Sequence, residues 1–330
     1  MVPKAFTFSA LAIGLGAVLA SLSASHRAQQ AEAAHPPEGA FVAVTGGRVH
    51  YVQQGTGPHL ILLHGAGGNL RDFTFDLMGR LTDRYTVTAF DRPGLGYTDR
   101  VPGVATGVAA TAGDSPQQQA AMLREAALAL GIENPIVAGH SFGGIVSYAW
   151  AVAGLNNPSP VNAAAVVSIA GVTMPWPGDL DPYYRINGST FGGLVTVPLI
   201  AALVPGSIVR DRIESTFAPQ AAPFGYADYI GAGLTLRNAS FRANIRQVNT
   251  LRPEVVKLSA RYPELTLPIE IVHGTADTTV PIHIHADEVI KIVSSAHVTR
   301  LDGIGHMPHH TNPTDVTAAI DRAAARARLR

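Results

Sequence analysis

Short apolar runs alternate along most of the chain with segments that have helical character. Residues 59–63, 86–90 and 135–138 are almost continuously apolar, which is typical of strands covered on both faces of a sheet. Ser115 and Pro116 form a favourable cap and first position for the helix that precedes the third run. Alternation of this kind predicts an α/β fold, with a mostly parallel sheet and helices on both of its faces.

The alternation is interrupted once, between residues 172 and 262. This stretch opens with Pro175-Trp176-Pro177 and contains apolar segments without a strong strand pattern. Because the interruption follows the predicted strand that ends at Ala170, we expect a helical cap (lid) inserted over the carboxyl edge of the sheet. The core then comprises residues 39–171 and 263–330.

The N-terminal segment differs from the rest of the chain. Lys4 precedes an uncharged run over residues 5–22, which small residues follow. This pattern predicts an export signal over residues 1–25, with cleavage after Ser25 or Ala33. The run is also close to the shortest length that spans a bilayer, so a membrane anchor is the alternative. Either interpretation places the domain that follows outside the cytoplasm, periplasmic or secreted.

Residues 26–38 are predicted to be a linker. The composition of the whole chain limits the classes of protein to which it can belong. The 330 residues are 47% apolar and 15% charged, which suits a large buried core. The formal net charge of zero gives no general attraction for nucleic acid. The chain has no cysteine, which excludes thiol chemistry, disulfides and cysteine-based metal sites.

The most informative motif is Gly139-His140-Ser141-Phe142-Gly143, which lies between a predicted strand and a predicted helix. Gly-x-Ser-x-Gly in that context is the pattern of a nucleophile elbow, a turn so sharp that larger flanking side chains would clash. The serine hydroxyl then points outward, and the first amide of the helix points at the same place. We predict Ser141 as a nucleophile and the Phe142 amide as an oxyanion donor.

A serine hydroxyl becomes a good nucleophile when a histidine takes its proton and a carboxylate holds the histidine ring. Asp277 follows one predicted strand, and His306 follows the last one. Because the carboxyl ends of parallel strands meet at one edge of a sheet, these side chains can converge on Ser141. We predict Asp277 and His306 as the acid and the base of a triad; Asp302 precedes the base too closely to replace Asp277.

A glycine-rich loop, His64-Gly65-Ala66-Gly67-Gly68, follows another predicted strand. Its glycines let the backbone approach a substrate oxygen, so the Ala66 amide is predicted to be the second oxyanion donor. His64 and His140 are expected to organise hydrogen bonds rather than to take part in the chemistry.

In this order the motifs, together with Asp91-Arg92-Pro93-Gly94-Leu95-Gly96, resemble the α/β-hydrolase family, in particular its lidded group with an HG-x-x-G loop. The resemblance covers about residue 41 to the C-terminus. It implies an eight-stranded sheet, a cap domain, and hydrolysis through an acyl-enzyme without a cofactor. Haloalkane dehalogenases and epoxide hydrolases resemble this layout but carry aspartate at the elbow, so Ser141 favours acyl transfer.

Two further groups of side chains are candidates with weaker patterns. Aromatic residues of the interruption are expected either to line a substrate pocket or to fill the interior of the cap: Trp176, Tyr183, Tyr184, Phe191 and Phe217. Histidines in two short clusters are expected at the surface rather than in a metal site, since no acidic partners lie nearby in the sequence: His283, His285, His309 and His310.

The predicted activity is hydrolysis of a carboxylic ester of a small to medium, partly apolar substrate, because the cap is apolar and poor in charge. Hydrolysis of a carbon–carbon bond, or perhydrolysis, with the same triad is an alternative. A ligand-binding protein without activity on this fold is a further alternative. We expect no metal, cofactor or nucleic acid partner, and membrane contact only through the N-terminal segment.

Overall fold

A single sheet forms the centre of the molecule. The computed structural model describes residues 4–330, of which residues 4–17 are described by their backbone alone. The strands in this range are β1 (Ala40–Val44), β2 (Gly47–Gln54), β3 (His59–Leu63), β4 (Thr86–Phe90), β5 (Ile136–His140), β6 (Ala165–Ile169), β7 (Ile269–Gly274) and β8 (Ala296–Leu301). They form one eight-stranded sheet in the order β1-β2-β4-β3-β5-β6-β7-β8.

The sheet is parallel except at one edge, where β1 pairs with β2 and β2 with β4 in antiparallel registers. From β4 to β8 every pairing is parallel, for example Leu63 opposite Phe90 and His140 opposite Ile169. All residues of β5, β6 and β7 are buried, as continuous apolar runs predict. The predicted α/β architecture with an eight-stranded, mostly parallel sheet is confirmed.

Helices cover both faces of this sheet. Outside the insertion between β6 and β7, these helices are α2 (Arg71–Thr74), α3 (Pro116–Ala129), α4 (Phe142–Gly154), α11 (Ala286–Ile292), α12 (Pro308–Thr311) and α13 (Pro313–Arg326). Apolar residues of α3, α4 and α11 pack on one face, and those of α13 and the α2 region pack on the other. Ser115 caps α3 as expected, in a reciprocal capping box with Gln118.

Between β6 and β7 the chain forms the helices of the cap and a last helix that packs on the main core. They are α5 (Pro182–Gly188), α6 (Val197–Leu203), α7 (Gly206–Ser215), α8 (Tyr226–Tyr229), α9 (Asn238–Asn249) and α10 (Leu251–Ser259), with a π-helical turn at Gly192–Thr196 and 3₁₀ turns at Ala232–Leu234 and Tyr262–Glu264. Leu251, Val255 and Leu258 of α10 belong to the main core. By packing, the cap therefore ends before α10, earlier than the predicted residue 262.

The N-terminal helix α1 (Lys4–Ala34) contradicts the predicted linker over residues 26–38. Ala24 is buried against Ala201 and Ala202 of α6. Arg27 donates a hydrogen bond to the Val204 carbonyl, at 2.6 Å. These tertiary contacts keep the chain helical through Ala34, so that only residues 35–39 connect α1 to β1.

Among the residues with described side chains, no single helix is both long and apolar enough to cross a membrane. One bent pair, formed by Pro182–Gly188 and Gly192–Leu203 at an angle of 84°, reaches the necessary length and composition.

Candidate active site

Ser141 lies at the tip of the turn that joins β5 to α4. Its backbone has φ +52° and ψ −116°, a conformation that a residue with a side chain rarely adopts. A β-carbon on Gly139 would lie 2.1 Å from the Gly143 carbonyl oxygen, and one on Gly143 would lie 2.0 Å from the Leu63 carbonyl oxygen. Both glycines are therefore required by close backbone approach, which holds the serine outward from the sheet.

Asp277 and His306 form a buried pair beyond the ends of β7 and β8. The ring of His306 donates a hydrogen bond from Nδ1 to Asp277 Oδ2, at 2.7 Å. The other carboxylate oxygen accepts from the backbone amides of Thr279 and Val280, at 2.8 and 2.9 Å. Because both oxygens are engaged, the carboxylate has a fixed orientation and fixes the tautomer of the ring: the neutral imidazole has its lone pair on Nε2.

The surroundings set the protonation states of this pair. Burial alone would raise the pKa of Asp277, but hydrogen bonds from His273, His306 and the Val280 amide outweigh burial and hold that pKa well below its ordinary value. Burial lowers the pKa of His306, although its hydrogen bond with Asp277 acts in the opposite direction. At neutral pH the site therefore contains a carboxylate and a neutral imidazole, which is the combination that a general base needs.

Ser141 and His306 lie at the same edge of the sheet and are linked through His140. The His140 ring donates a hydrogen bond from Nε2 to the His306 carbonyl, at 3.0 Å, and the two rings are 4.9 Å apart. Ser141 is 8% exposed and His306 is 5% exposed. Among the described residues, no hydrogen bond joins the serine hydroxyl to the His306 ring; catalytic hydrogen bonds of this kind often tighten only when substrate binds.

The two predicted oxyanion donors lie on segments that flank the serine. A β-carbon on Gly65 would be 3.1 Å from the β-carbon of Ser141, so the glycine-rich loop touches the elbow. Within the described part of the chain, the amides of Ala66 and Phe142 donate to no other group. Both amides are therefore available to a substrate oxygen.

The glycine-rich loop is held from both sides. The amide of Gly67 donates to Asn244 of the cap helix α9 at 2.7 Å, and its carbonyl accepts from the cap residue Thr235 at 2.6 Å. From the core, Arg92 donates to the carbonyls of His64 and Gly65, at 2.8 and 2.9 Å. As expected, Arg92 and His64 organise hydrogen bonds, and the cap contributes to the position of the loop.

A second buried carboxylate, Asp72, lies close to His140 of the elbow, and no pattern in the sequence singles it out. Its Oδ1 accepts hydrogen bonds from His309 Nε2, His310 Nε2 and the Tyr226 hydroxyl, at 3.1, 2.8 and 2.7 Å. His140 Nδ1 is 3.6 Å from its other oxygen. Burial opposes ionisation of Asp72, but the charge and hydrogen bonds of His309, together with those of the other rings, hold its pKa well below the ordinary value.

The expected surface position of the histidine clusters is wrong for three of the four residues. His283 is exposed, but His285, His309 and His310 are buried. The His285 ring accepts hydrogen bonds from the amides of Thr173 and Met174, and burial lowers its pKa to about 3. His309 and His310 are buried because Asp72, distant in sequence, supplies the acceptor that their rings need.

Asp72, His140 and His309 place possible ligand atoms within 4.8 Å of one another, close enough for a metal ion. Oδ1 of Asp72, however, already accepts three hydrogen bonds from neighbouring side chains. This donor set fits a hydrogen-bonded cluster better than a metal centre.

The five predicted aromatic pocket residues do not form one group, although Tyr183 and Tyr184 contact each other with ring centroids 5.4 Å apart. Tyr183 and Phe191 are exposed on the outside of the cap, and Trp176 and Tyr184 are partly buried. Phe217 alone is fully buried, where it packs with Tyr226 and Met307 beside the catalytic-histidine loop. Phe217 therefore lies next to the candidate site, whereas Tyr183 and Tyr184 lie together on α5.

Comparison with known proteins finds a relative of similar sequence and structures of similar fold. The uncharacterized protein Rv2715 from Mycobacterium tuberculosis is 29% identical over 314 residues, covering 89% of this chain and 87% of its own. An esterase from Exiguobacterium antarcticum superposes with a TM-score of 0.67 at 19% identity, over 87% of this chain and 99% of that one. A protein described as a membrane phospholipase A superposes with a TM-score of 0.62 at 20% identity, over 97% of this chain and 99% of that one.

The family assignment depends on a separate match. The model of the alpha/beta hydrolase family matches residues 60–320, which include the elbow, the glycine-rich loop and the Asp277–His306 pair. The chain therefore belongs to the alpha/beta hydrolase family.

Proposed function

We propose that the protein is a serine hydrolase that cleaves carboxylic esters, with Ser141 as nucleophile, His306 as base and Asp277 as the carboxylate that orients the base. The observation that carries the proposal is the 2.7 Å contact between Asp277 and His306 at the sheet edge that bears the elbow. This contact leaves His306 Nε2 with a lone pair, which can accept the serine proton.

The reaction proceeds in two halves. As His306 removes its proton, the Ser141 oxygen attacks the ester carbonyl, and the amides of Ala66 and Phe142 stabilise the resulting oxyanion. His306 then gives the proton to the departing alcohol, which leaves an acyl group on Ser141. Water, deprotonated by His306, attacks this acyl-enzyme and releases the carboxylic acid, and the proton returns to Ser141.

The proposed substrate has an apolar acyl part of small to medium size. Apolar side chains of the cap and of the core pack together beside the His306 loop, among them Phe217 and Met307. Apolar side chains this close to the His306 loop favour an uncharged acyl group. Esterase activity in a protein of similar fold is compatible with this choice, and the fold alone does not decide it.

A panel of nitrophenyl esters of increasing acyl length tests the proposal, with Ser141→Ala as the matched control. We expect hydrolysis to be greatest for uncharged acyl groups and to fall about 10⁶-fold in the variant, as for other removed serine nucleophiles. A fluorophosphonate probe should label Ser141. A chain that is neither labelled nor active on esters would favour the ligand-binding alternative, whereas turnover of dienol-type diketones or of peroxide with acetate would favour the other two reactions.

We also propose that the N-terminal segment stays attached and places the domain outside the cytoplasm. Cleavage after Ser25 would remove Ala24, which packs on the cap, and cleavage after Ala33 would also remove Arg27 and Glu32, which bind cap residues. The intact mass of the protein recovered from membranes tests this: a mass that includes residues 1–33 is expected, and a shorter mass would favour the cleaved signal.

A further inference from the structure

Large apolar side chains are exposed on one part of the cap. Phe191, Leu194 and Leu203 are each more than half exposed, and Leu199 is 41% exposed. We call these four residues the apolar cap face. Leu199 and Leu203 are four positions apart on α6, so they lie on the same side of that helix. Single exposed apolar residues are common, but a group of this size on neighbouring turns usually marks an interaction surface.

The N-terminal helix continues this apolar surface. Val18, Leu19 and Leu22 of α1 are each more than half exposed. Beside them, α1 and α6 pack through small residues, among them Ala24 against Ala201. Small side chains let the two helices approach closely, and the leucines of both helices remain uncovered.

The polarity of α1 changes at the level of the cap. Its uncharged run covers residues 5–22, which at 1.5 Å per residue is about 27 Å of helix, close to the hydrocarbon thickness of a bilayer. After three small residues come His26 and Arg27, and the Arg27 guanidinium is bound to the Val204 carbonyl immediately after α6. The apolar cap face is thus beside the point where the apolar run ends and charged residues begin.

From this arrangement we propose that the apolar cap face docks on the surface of a lipid bilayer, where it continues the membrane contact begun by residues 5–22. The nearby α7 carries Arg210 and Arg212 together with Asp211 and Glu214, so its charges balance. The partner is therefore a neutral lipid surface bound through apolar contact rather than an anionic one. Resting on the proposed esterase function, a second consequence is that the substrate is an acyl ester supplied by the bilayer.

Fluorescence of a single new indole tests the docking directly. Leu199→Trp in the full chain is mixed with phosphatidylcholine vesicles that carry bromine near the top of their acyl chains. We expect blue-shifted emission and quenching beyond that of the two native tryptophans. Leu128→Trp is the matched control, since Leu128 is 53% exposed but lies on the core helix α3; its indole should remain unquenched.

Three outcomes would overturn the proposal. The chain could float with vesicles while neither new indole is quenched, which would mean that residues 5–22 anchor it alone. Both indoles could be quenched equally, which would mean that contact is unspecific. Emission of the Leu199→Trp variant could instead shift with protein concentration in detergent without vesicles, which would identify a second copy of the chain as the occupant.

Activity provides a second arm. Leu199→Gln with Leu203→Gln should lower turnover of a long-chain ester embedded in vesicles about tenfold, because two apolar contacts with the bilayer are lost. Turnover of a soluble short ester should be unchanged, and Leu128→Gln should change neither. Equal turnover of the embedded ester by the double variant and the wild type would contradict the bilayer-supplied substrate. If no ester is cleaved at all, the esterase proposal fails, while the fluorescence result still decides the docking.

Discussion

Asp277 and Asp72 are both buried carboxylates that accept hydrogen bonds from histidine rings, and each accepts three hydrogen bonds, but the donors are of different kinds. Asp277 accepts a hydrogen bond from one catalytic ring, His306, on Oδ2 and from two backbone amides on Oδ1. Asp72 accepts three donors on a single oxygen, including the cap residue Tyr226. Asp277 orients the His306 ring and leaves its second nitrogen free to accept a proton. Asp72 instead binds groups from several segments and so holds those segments together.

The segments that the two carboxylates connect differ in the same way. Asp277 joins loops that follow the adjacent strands β7 and β8. Asp72, on α2, contacts rings from α12 and the hydroxyl from α8 of the cap, and His140 from the end of β5 is close to it. We therefore expect substitutions at Asp277 to change the rate of reaction and substitutions at Asp72 to change stability.

The largest effect is expected for Asp277→Asn. An amide can retain the hydrogen bonds from the Thr279 and Val280 amides but no longer favours the tautomer with Nε2 free, so kcat should fall about 10⁴-fold. The free energy of unfolding should change by less than about 1.5 kcal/mol, because only one charge-assisted hydrogen bond is weakened. Steady-state kinetics and urea unfolding measure the two quantities; a large loss of stability with little loss of rate would reverse the comparison.

Asp72→Asn should show the opposite pattern. The loss of the carboxylate charge should cost about 3 kcal/mol of unfolding free energy, because the His309, His310 and Tyr226 hydrogen bonds are each weaker to a neutral amide oxygen. We expect kcat to fall by less than about tenfold, since the Asp277–His306 contact is untouched. The same two measurements check it at a temperature well below the melting transition of the variant. A rate loss as large as that of Asp277→Asn would show that Asp72 takes part in the chemistry.

The role of Asp277 could be predicted from the sequence, but the role of Asp72 could not. Asp277, His306 and Ser141 each follow a strand. Because the carboxyl ends of parallel strands lie at one edge of a sheet, this local pattern predicts that the three residues are close in space although they are far apart in sequence. Asp72 and His309 are 237 residues apart. They lie on short helices without a periodic pattern, and polar residues of that kind are normally exposed. Only the folded chain shows that Asp72 and His309 are buried against each other. The one weak sign of burial in the sequence is the presence of the apolar neighbours Met307 and Phe73.

A similar reason explains the error at the N-terminus. An alanine-rich run with small residues matches an export signal followed by a linker, and propensity alone does not show where such a helix stops. Ala24 and Arg27 find partners on α6 and after it, contacts that no local sequence window contains. The hydrogen bond between Asn244 and the glycine-rich loop was equally invisible, because it depends on where the cap rests.

A smaller effect is expected for Tyr226→Phe, which removes one donor from Asp72 and keeps the ring. Phe217 lies 5.0 Å from the Tyr226 ring, so packing should persist. The unfolding free energy should fall by about 1 kcal/mol, the value of one buried hydrogen bond. Tyr183→Phe, at an exposed position of the cap, is the control and should cost less than about 0.5 kcal/mol. Combined with Asp72→Asn, the losses should be less than additive, because both variants remove the same contact.

The smallest effect concerns pH. Burial lowers the pKa of His306 from its ordinary 6.5, with His140 and His273 acting in the same direction and Asp277 opposing them. The base must be neutral, so kcat/KM should be above half of its maximum at pH 6.5 and should decline as the pH falls through the lowered pKa. The midpoint of this decline should stay within about 0.5 unit in Asp72→Asn, because Asp72 contacts other rings than His306. A midpoint above pH 6.5 would contradict the burial of the base, and a shift of more than about one unit in Asp72→Asn would mean that the two carboxylates act on the same ring.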